Sequence, residues 1–316
     1  MVCGPSGTYL EQLMVSAYSV RKYNPNVEIV VVIDKETEKI ISDRGSALKD
    51  IVSEIMSVDT PFPEDKMRSS RYLKTNLRQI VKGDYLFIDC DTVVCESLND
   101  IDKVSFELGM VADLNGPLSL TEKNVLEKCR KSGFEDVEGT PYFNSGVIYA
   151  KDTPNVHKFY EEWYRQWKHS DSRGVPYDQP ALCQTNINMG YMVQELPGKW
   201  NCQFKFFGKS LLNSAKILHY YSNTEFSKPT YSQQRIFEYV KEKQCIDKSV
   251  DYMISHPRTV FYTVLSITSD KAFEFFNSEM IHYFFNVPPA YRIALKVAKI
   301  IEKPILYASK LKSRWK

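Results

Sequence analysis

The chain has 316 residues, 43% of them hydrophobic and 25% charged, and a net charge of only +2. That length suits one large α/β domain, or one domain with a helical appendage, and the near-neutral balance excludes a general polyanion binder, so no nucleic-acid partner is expected. The seven cysteines (Cys3, Cys90, Cys95, Cys129, Cys183, Cys202, Cys245) are odd in number and form no C-x-x-C, which excludes a disulfide framework and a cysteine zinc site; a reducing, cytoplasmic setting is expected.

No charged stretch followed by an apolar one opens the chain as a signal peptide would, and no 18-residue apolar run predicts a membrane span. Met1–Cys3 reads as the start of a first strand, followed by the turn-rich GPSGT. The next segment places Leu10, Leu13, Met14, Ala17 and Val20 near helical spacing, and NPN stops it. VEIVVVID is a continuous, β-branched apolar run ending in Asp34, the signature of a buried parallel strand, so the opening reads as a βαβ unit. Lys35–Leu48 reads as a polar helix, DIVSEIMSV as a strand and DTPFPED as a loop. RSSRYLKTNLRQIV is expected to be one helix with Arg71, Lys74 and Arg78 on one face. Then comes GDYLFIDCDTVV, in which four apolar residues end in Asp89 and Asp91. ELGMVADLN and YFNSGVIYAK repeat the strand character, and Asn155–His169 is an aromatic-rich helix. VPYDQPALCQTNINM reads as a loop feeding a short helix, and KILHYYS as a last core strand.

This alternation predicts an α/β domain over residues 1–230, a doubly wound, mostly parallel sheet flanked by helices. Residues 231–316 read as a helical C-terminal region. In such sheets ligands lie outside the carboxyl ends of the strands, which puts Gly4–Tyr9, Asp34, Asp89 and Asp91 on one rim.

Two carboxylates one residue apart at a strand end can share one hard divalent cation such as Mn²⁺ or Mg²⁺, which accept oxygen ligands and phosphate oxygens together. Taken alone, the pair also fits a solvated strand end. It fits a third reading too, the haloacid-dehalogenase phosphatase motif, with Asp89 as nucleophile and Asp91 as acid/base. That motif usually opens its fold, whereas a βαβ unit precedes it here, and no convincing second acidic pair follows.

FIDCDTVV is followed in order by PYFNSGVIYAK (141–151), YDQPAL (177–182) and LHYYSN (218–223). This ordered set resembles the retaining glycosyltransferases of family 8, which have the GT-A fold, and the resemblance runs from residue 1 to about 230. It implies that Asp89, Asp91 and His219 hold Mn²⁺ or Mg²⁺ against the diphosphate of a UDP-sugar, where the metal acts as a Lewis acid on the leaving group. It further implies that Tyr9 stacks on the uracil, and that Val2, Cys3 and Gly4 bring backbone to the base or ribose. Cys90 lies between the two acids at the nucleotide. Arg71 and Lys74 would face the diphosphate or the sugar hydroxyls, although the family's usual spacing is closer to R-x-K than to the R-x-x-K found here. Asn144 would sit by the sugar, Asp178 would bond its hydroxyls, and Gln179 would lie near the anomeric carbon. Asp34 is either a nucleoside contact or a solvated acid. An amide is a poor nucleophile, so front-face return is expected, with the Gln179 carbonyl dipole supporting the oxocarbenium charge and the leaving phosphate oxygen helping to deprotonate the acceptor. The sequence departs from the family after His219. The usual short loop H-x-x-G-x-x-K-P-W is three residues longer here, lacks its glycine and ends in Thr230, leaving Lys228 to meet the diphosphate.

The implied function is transfer of a hexose, with UDP-glucose and UDP-galactose as first candidates, to a glycan or lipid-linked acceptor. A catalytically silent protein that binds sugar nucleotides or membranes is the remaining alternative. Residues 287–316 carry a local net charge of +7, leaving −5 for the rest. Ile293, Leu295, Val297, Ile300 and Ile301 fall among their lysines, and a basic amphipathic helix of this kind can lie peripherally in an anionic membrane surface. It can equally pack on the body of the protein.

Overall fold

The computed structural model describes residues 9–44, 46–203, 208, 211, 214–219, 240–243 and 245–255. The expected first strand, with Val2, Cys3 and Gly4, lies outside the described residues. So do Lys228 and its loop, and the basic tail.

Helix α1 (Tyr9–Tyr23) buries Leu10, Leu13, Met14 and Ala17, as their spacing predicts. The βαβ continuation is also as expected: β1 (Val30–Asp34) pairs in parallel with β2 (Glu54–Val58). A four-stranded sheet has β3 (Tyr85–Ile88) at one edge, then β6 (Phe143–Ala150), β5 (Leu108–Ala112) and the short β7 (Gln194–Glu195). A third sheet has the order β4 (Thr92–Val94), β9 (Ile217–His219), β8 (Cys202–Gln203). The α/β architecture stands, and within it the pairing is mixed: β6 runs antiparallel to both β3 and β5, and β4 runs antiparallel to β9. All eight residues of β6 are buried, which explains why its second half, Val147–Ala150, reads as a continuous apolar run with no alternation.

The expected basic helix is two helices. The first, α4 (Lys66–Thr75), is capped by Asp65, whose carboxylate accepts the Arg68 N–H at 3.0 Å. The chain turns at Asn76, and α5 is Leu77–Ile80. The turn takes Arg78 off the face it was expected to share with Arg71 and Lys74. Its guanidinium lies 4.5 Å from the Tyr85 ring centre and 3.4 Å from Asp152, at the opposite end of β3 from the acids.

Helix α7 (Pro154–Ser172) begins with Thr153 accepting from Val156 N–H and Pro154 in the first turn, and it buries Phe159, Tyr160, Trp163 and Trp167. Against it packs α8 (Asp178–Asn188), pinned at its start by the Trp163 indole N–H donating to the Asp178 carbonyl at 3.0 Å. Of the C-terminal region, helix Lys248–Ser255 is described. Its Val250 and Ile254 join the core around α1, and Asp251 accepts the Tyr18 hydroxyl at 2.8 Å. A cavity of about 440 Å³ lies between α1, β1 and β3, lined by Val31, Leu86 and Cys90 among others, and by none of Asp89, Asp91 and His219. Among the described residues no helix is long and apolar enough to cross a membrane.

Candidate active site

Strand register assembles the acids and the histidine. Ile88 at the end of β3 faces Val147 of β6, so Asp89 emerges beside Gly146 and donates its backbone N–H to the Gly146 carbonyl at 2.8 Å. Three residues later the chain starts β4, where Thr92 faces His219 of β9. Asp89 and Asp91 thus occupy the step between two sheets, and the third sheet delivers His219 to the same point. One ligand atom from each of the three lies within 4.8 Å of the others. His219 Nε2 is 3.2 Å from Asp91 Oδ1, and its Nδ1 is 2.9 Å from Asn201 Oδ1. Burial works against charge on His219, but Asp91 and Asp89 beside it win and lift its pKa above the ordinary value. Two half-buried carboxylates converging on an imidazole that is only 4% exposed call for positive charge, and this oxygen–oxygen–nitrogen set suits Mn²⁺ or Mg²⁺ with further oxygen ligands from a phosphate. The residues therefore fit the metal that the sequence implied.

Between the two acids, in the turn that links β3 to β4, Cys90 packs its side chain against α1. Its thiol is buried against Gln12 of α1, and burial pushes its pKa to about 12. What Cys90 can offer a nucleotide is therefore its backbone. Gln12 also locates Tyr9, which is one helical turn earlier on the same face of α1 and 40% exposed. Asp34 is not a solvated acid. It is 5% exposed, and its carboxylate accepts the Thr37 N–H at 2.8 Å, capping α2 (Lys35–Arg44).

The basic pair meets acids within the protein. Lys74 Nζ is 2.8 Å from Asp89 Oδ2, 3.8 Å from Asp178 Oδ2 and 3.2 Å from the Ser145 carbonyl. Arg71 Nε lies 2.9 Å from Asp178 Oδ1. The Ser145 hydroxyl also donates to Asp178, at 2.6 Å. Burial raises the Asp178 pKa, but Arg71 and Lys74 outweigh it and hold the carboxyl down to about 2. Lys74 thus ties the acid of the cation cluster to the acid expected at the sugar.

Gln179, in the first turn of α8, donates its amide N–H groups to Asp113 Oδ1 at 3.1 Å and to the Phe143 carbonyl at 3.2 Å. Both partners only accept, so the amide orientation is set and its carbonyl oxygen faces away from them. Asn144 donates to the same Asp113 oxygen at 3.1 Å and accepts from Asn201 at 2.8 Å. The site thus contains three residues that sequence reasoning missed: Asp113, Ser145 and Asn201. Asp113 carried a usable signal, since it ends the apolar run LGMVA as Asp89 ends YLFI. Asn201, in WNCQ, carried none.

Comparison with known proteins adds the family. Residues 2–229 match Glycosyl transferase family 8. No curated protein sequence matches the chain. Among solved structures, one similar chain is the galactosyltransferase LgtC in complex with donor and acceptor sugar analogues. It is 17% identical, with a TM-score of 0.50, over 77% of this chain and 96% of that one. Another is the glycosyltransferase GlyE of Streptococcus pneumoniae TIGR4, 16% identical with a TM-score of 0.50, over 80% of this chain and 63% of that one. Mouse xyloside xylosyltransferase 1 in its apo form is 15% identical with a TM-score of 0.47, over 69% and 94%. The two likenesses with a TM-score of 0.50 give the fold, that of the GT-A glycosyltransferases.

Proposed function

From the premise that the chain belongs to glycosyl transferase family 8, and so is a glycosyltransferase, we propose that it transfers a hexose from a UDP-sugar, with a divalent cation and with retention at the anomeric carbon. The observation that carries this reading is the convergence of Asp89, Asp91 and His219. When bound, the cation would supply Lewis-acid neutralisation of the departing diphosphate.

The remaining work falls to the chain's own groups. Asp89 and Asp91 bind through oxygen and His219 through Nε2. Lys74 adds a fixed positive charge beside Asp89 that favours an anionic leaving group. Asp178, kept ionised by Arg71 and Lys74, is an acceptor for sugar hydroxyls at every physiological pH. Gln179, with its N–H groups committed to Asp113 and Phe143, presents its carbonyl dipole to the reacting carbon. A preorganised dipole of this kind stabilises oxocarbenium charge without forming a bond, in keeping with front-face return. Tyr9 stacks on the base, and the acceptor is a glycan or a lipid-linked sugar.

The phosphatase reading loses its ground. In that chemistry Asp89 attacks phosphorus, whereas here Asp89 and Asp91 converge with His219 of β9, and the family match spans the motif. The test is a panel of UDP-sugars, UDP-glucose and UDP-galactose first, scored for Mn²⁺-dependent UDP release, with Asp91→Ala as control. Release with one donor that disappears in the variant supports the proposal. Release of phosphate from p-nitrophenyl phosphate, with no donor turned over, would refute it.

A further inference from the structure

Asn201 is completely buried, lies next to β8, and belongs to none of the motifs that announce the site. Its side chain touches two site residues, and the direction of each bond can be deduced. Asn144 Oδ1 accepts the backbone N–H of Gly146 at 2.9 Å, and a backbone N–H can only donate, so the Asn144 atom at that point is oxygen. The Asn201 atom 2.8 Å from that oxygen must then be its NH₂. The other end of the Asn144 amide is fixed in the same sense, since its NH₂ faces the Asp113 carboxylate. The Asn201 amide can therefore meet His219 only through oxygen, and at 2.9 Å that oxygen requires a proton on His219 Nδ1. In the neutral imidazole, the Nε2 lone pair is then left facing Asp91 Oδ1 at 3.2 Å.

We infer that Asn201 is a positioning residue. It fixes the tautomer and ring direction of His219 so that Nε2 is a ligand, and it joins that ligand to Gln179 through Asn144 and Asp113. The inference rests on the cation reading above. The chain of bonds is continuous: His219 Nδ1–H to Asn201, Asn201 N–H to Asn144, Asn144 N–H to Asp113, and Asp113 shared with the Gln179 amide at 3.1 Å. Asn201 and Asn144 each accept on one side and donate on the other, so reversing either of them sets lone pair against lone pair at its neighbour. A buried network of this kind holds a single arrangement only while every member is satisfied. Residues behind a histidine ligand commonly set its tautomer, and their loss costs about 10- to 100-fold in metal affinity.

Two substitutions separate the two bonds. Asn201→Leu has similar size and removes both. Asn201→Asp keeps an oxygen for the His219 Nδ1–H but cannot donate to Asn144. Metal-free protein labelled with ¹⁵N-histidine is observed at alkaline pH, with the His219 signals identified by their loss in His219→Ala. The parent and Asn201→Asp are expected to show the Nδ1–H tautomer, and Asn201→Leu a shift toward Nε2–H. Titration with Mn²⁺ should show about 10- to 100-fold weaker binding for Asn201→Leu and only a few-fold change for Asn201→Asp. UDP release at saturating Mn²⁺ and donor should fall in Asn201→Asp through kcat, because the oxygen of Asn144 then faces a carboxylate. A parent spectrum with Nε2–H at His219 overturns the inference, and it does so even where Asn201→Leu fails to fold. Unchanged tautomer and Mn²⁺ affinity in a folded Asn201→Leu overturn it as well. A parent that takes up no Mn²⁺ refutes the cation reading separately, and the tautomer spectra still decide the role of Asn201.

Discussion

Gly146 of β6 packs directly against His219 of the proposed cation cluster, and adding one methyl group there tests that geometry. A Cβ at 146 would lie 2.7 Å from His219 Nδ1 and 2.9 Å from Asn144 Oδ1, with the His219 Cε1 closer still, where ordinary contact is 3.4–4 Å. The His219 ring would have to retreat by roughly 1 Å, whereas metal–ligand distances tolerate only about 0.2 Å. Gly146→Ala should therefore lose His219 as a ligand and bind Mn²⁺ about 10- to 100-fold more weakly. Overpacking should also cost about 1–3 kcal/mol of stability. Isothermal titration with Mn²⁺ and urea unfolding of the metal-free protein read the two effects. Most of the clash is with one ring, so a double-mutant cycle isolates it: in a His219→Ala background, Gly146→Ala should destabilise markedly less, leaving only the contact with Asn144 Oδ1. If Gly146→Ala binds Mn²⁺ as the parent does, or destabilises equally in both backgrounds, the packing of His219 on Gly146 is not what holds the ligand in place.

If the Gln179 carbonyl dipole faces the reacting carbon as proposed, Gln179→Ala should lower kcat for UDP release by about 10- to 100-fold with little change in Mn²⁺ affinity; unchanged turnover would end that role. Asp178 has a folded-state pKa of about 2 against an ordinary 3.8, so its contribution of about 2 kcal/mol is present above pH ~4 and lost as pH falls through about 2. The urea stability gap between the parent and Asp178→Asn should accordingly shrink between neutral pH and pH ~2, and a gap independent of pH would contradict the pairing with Arg71 and Lys74. Arg78→Met should destabilise the fold by about 1–3 kcal/mol, discounted for the partly exposed Asp152, while leaving Mn²⁺ affinity unchanged. A loss of Mn²⁺ binding in that variant would put Arg78 back with Arg71 and Lys74.

The strands were legible because apolar runs are local patterns, and β1, β2, β3, β5 and β6 all lie where such runs fall, the first four meeting an acid at their end. Asp89 and Asp91 stood out for the same reason. Reading Arg71, Lys74 and Arg78 as one face failed because helical spacing assumes an unbroken helix, and the chain turns at Asn76. Asp34 looked like a rim acid, and only the helix that starts beside it shows that its oxygen is used as a cap. The direction of the ladders around β6 was hidden because a strand buried on both faces reads the same whichever way its neighbours run. Asn201 was illegible in principle. A single asparagine after a tryptophan carries no pattern, and its role exists only once β8 and β9 lie side by side and bring His219 within 2.9 Å.

The central claim is that Asp89, Asp91 and His219 grip one cation that carries the nucleotide diphosphate. Counting Mn²⁺ bound per chain in the presence of UDP, for the parent and for Asp89→Ala, Asp91→Ala and His219→Ala, addresses it most directly. The expected result is one tightly held Mn²⁺ in the parent, with binding weakened or lost in all three variants. Equal Mn²⁺ uptake by the parent and by Asp91→Ala and His219→Ala would contradict it.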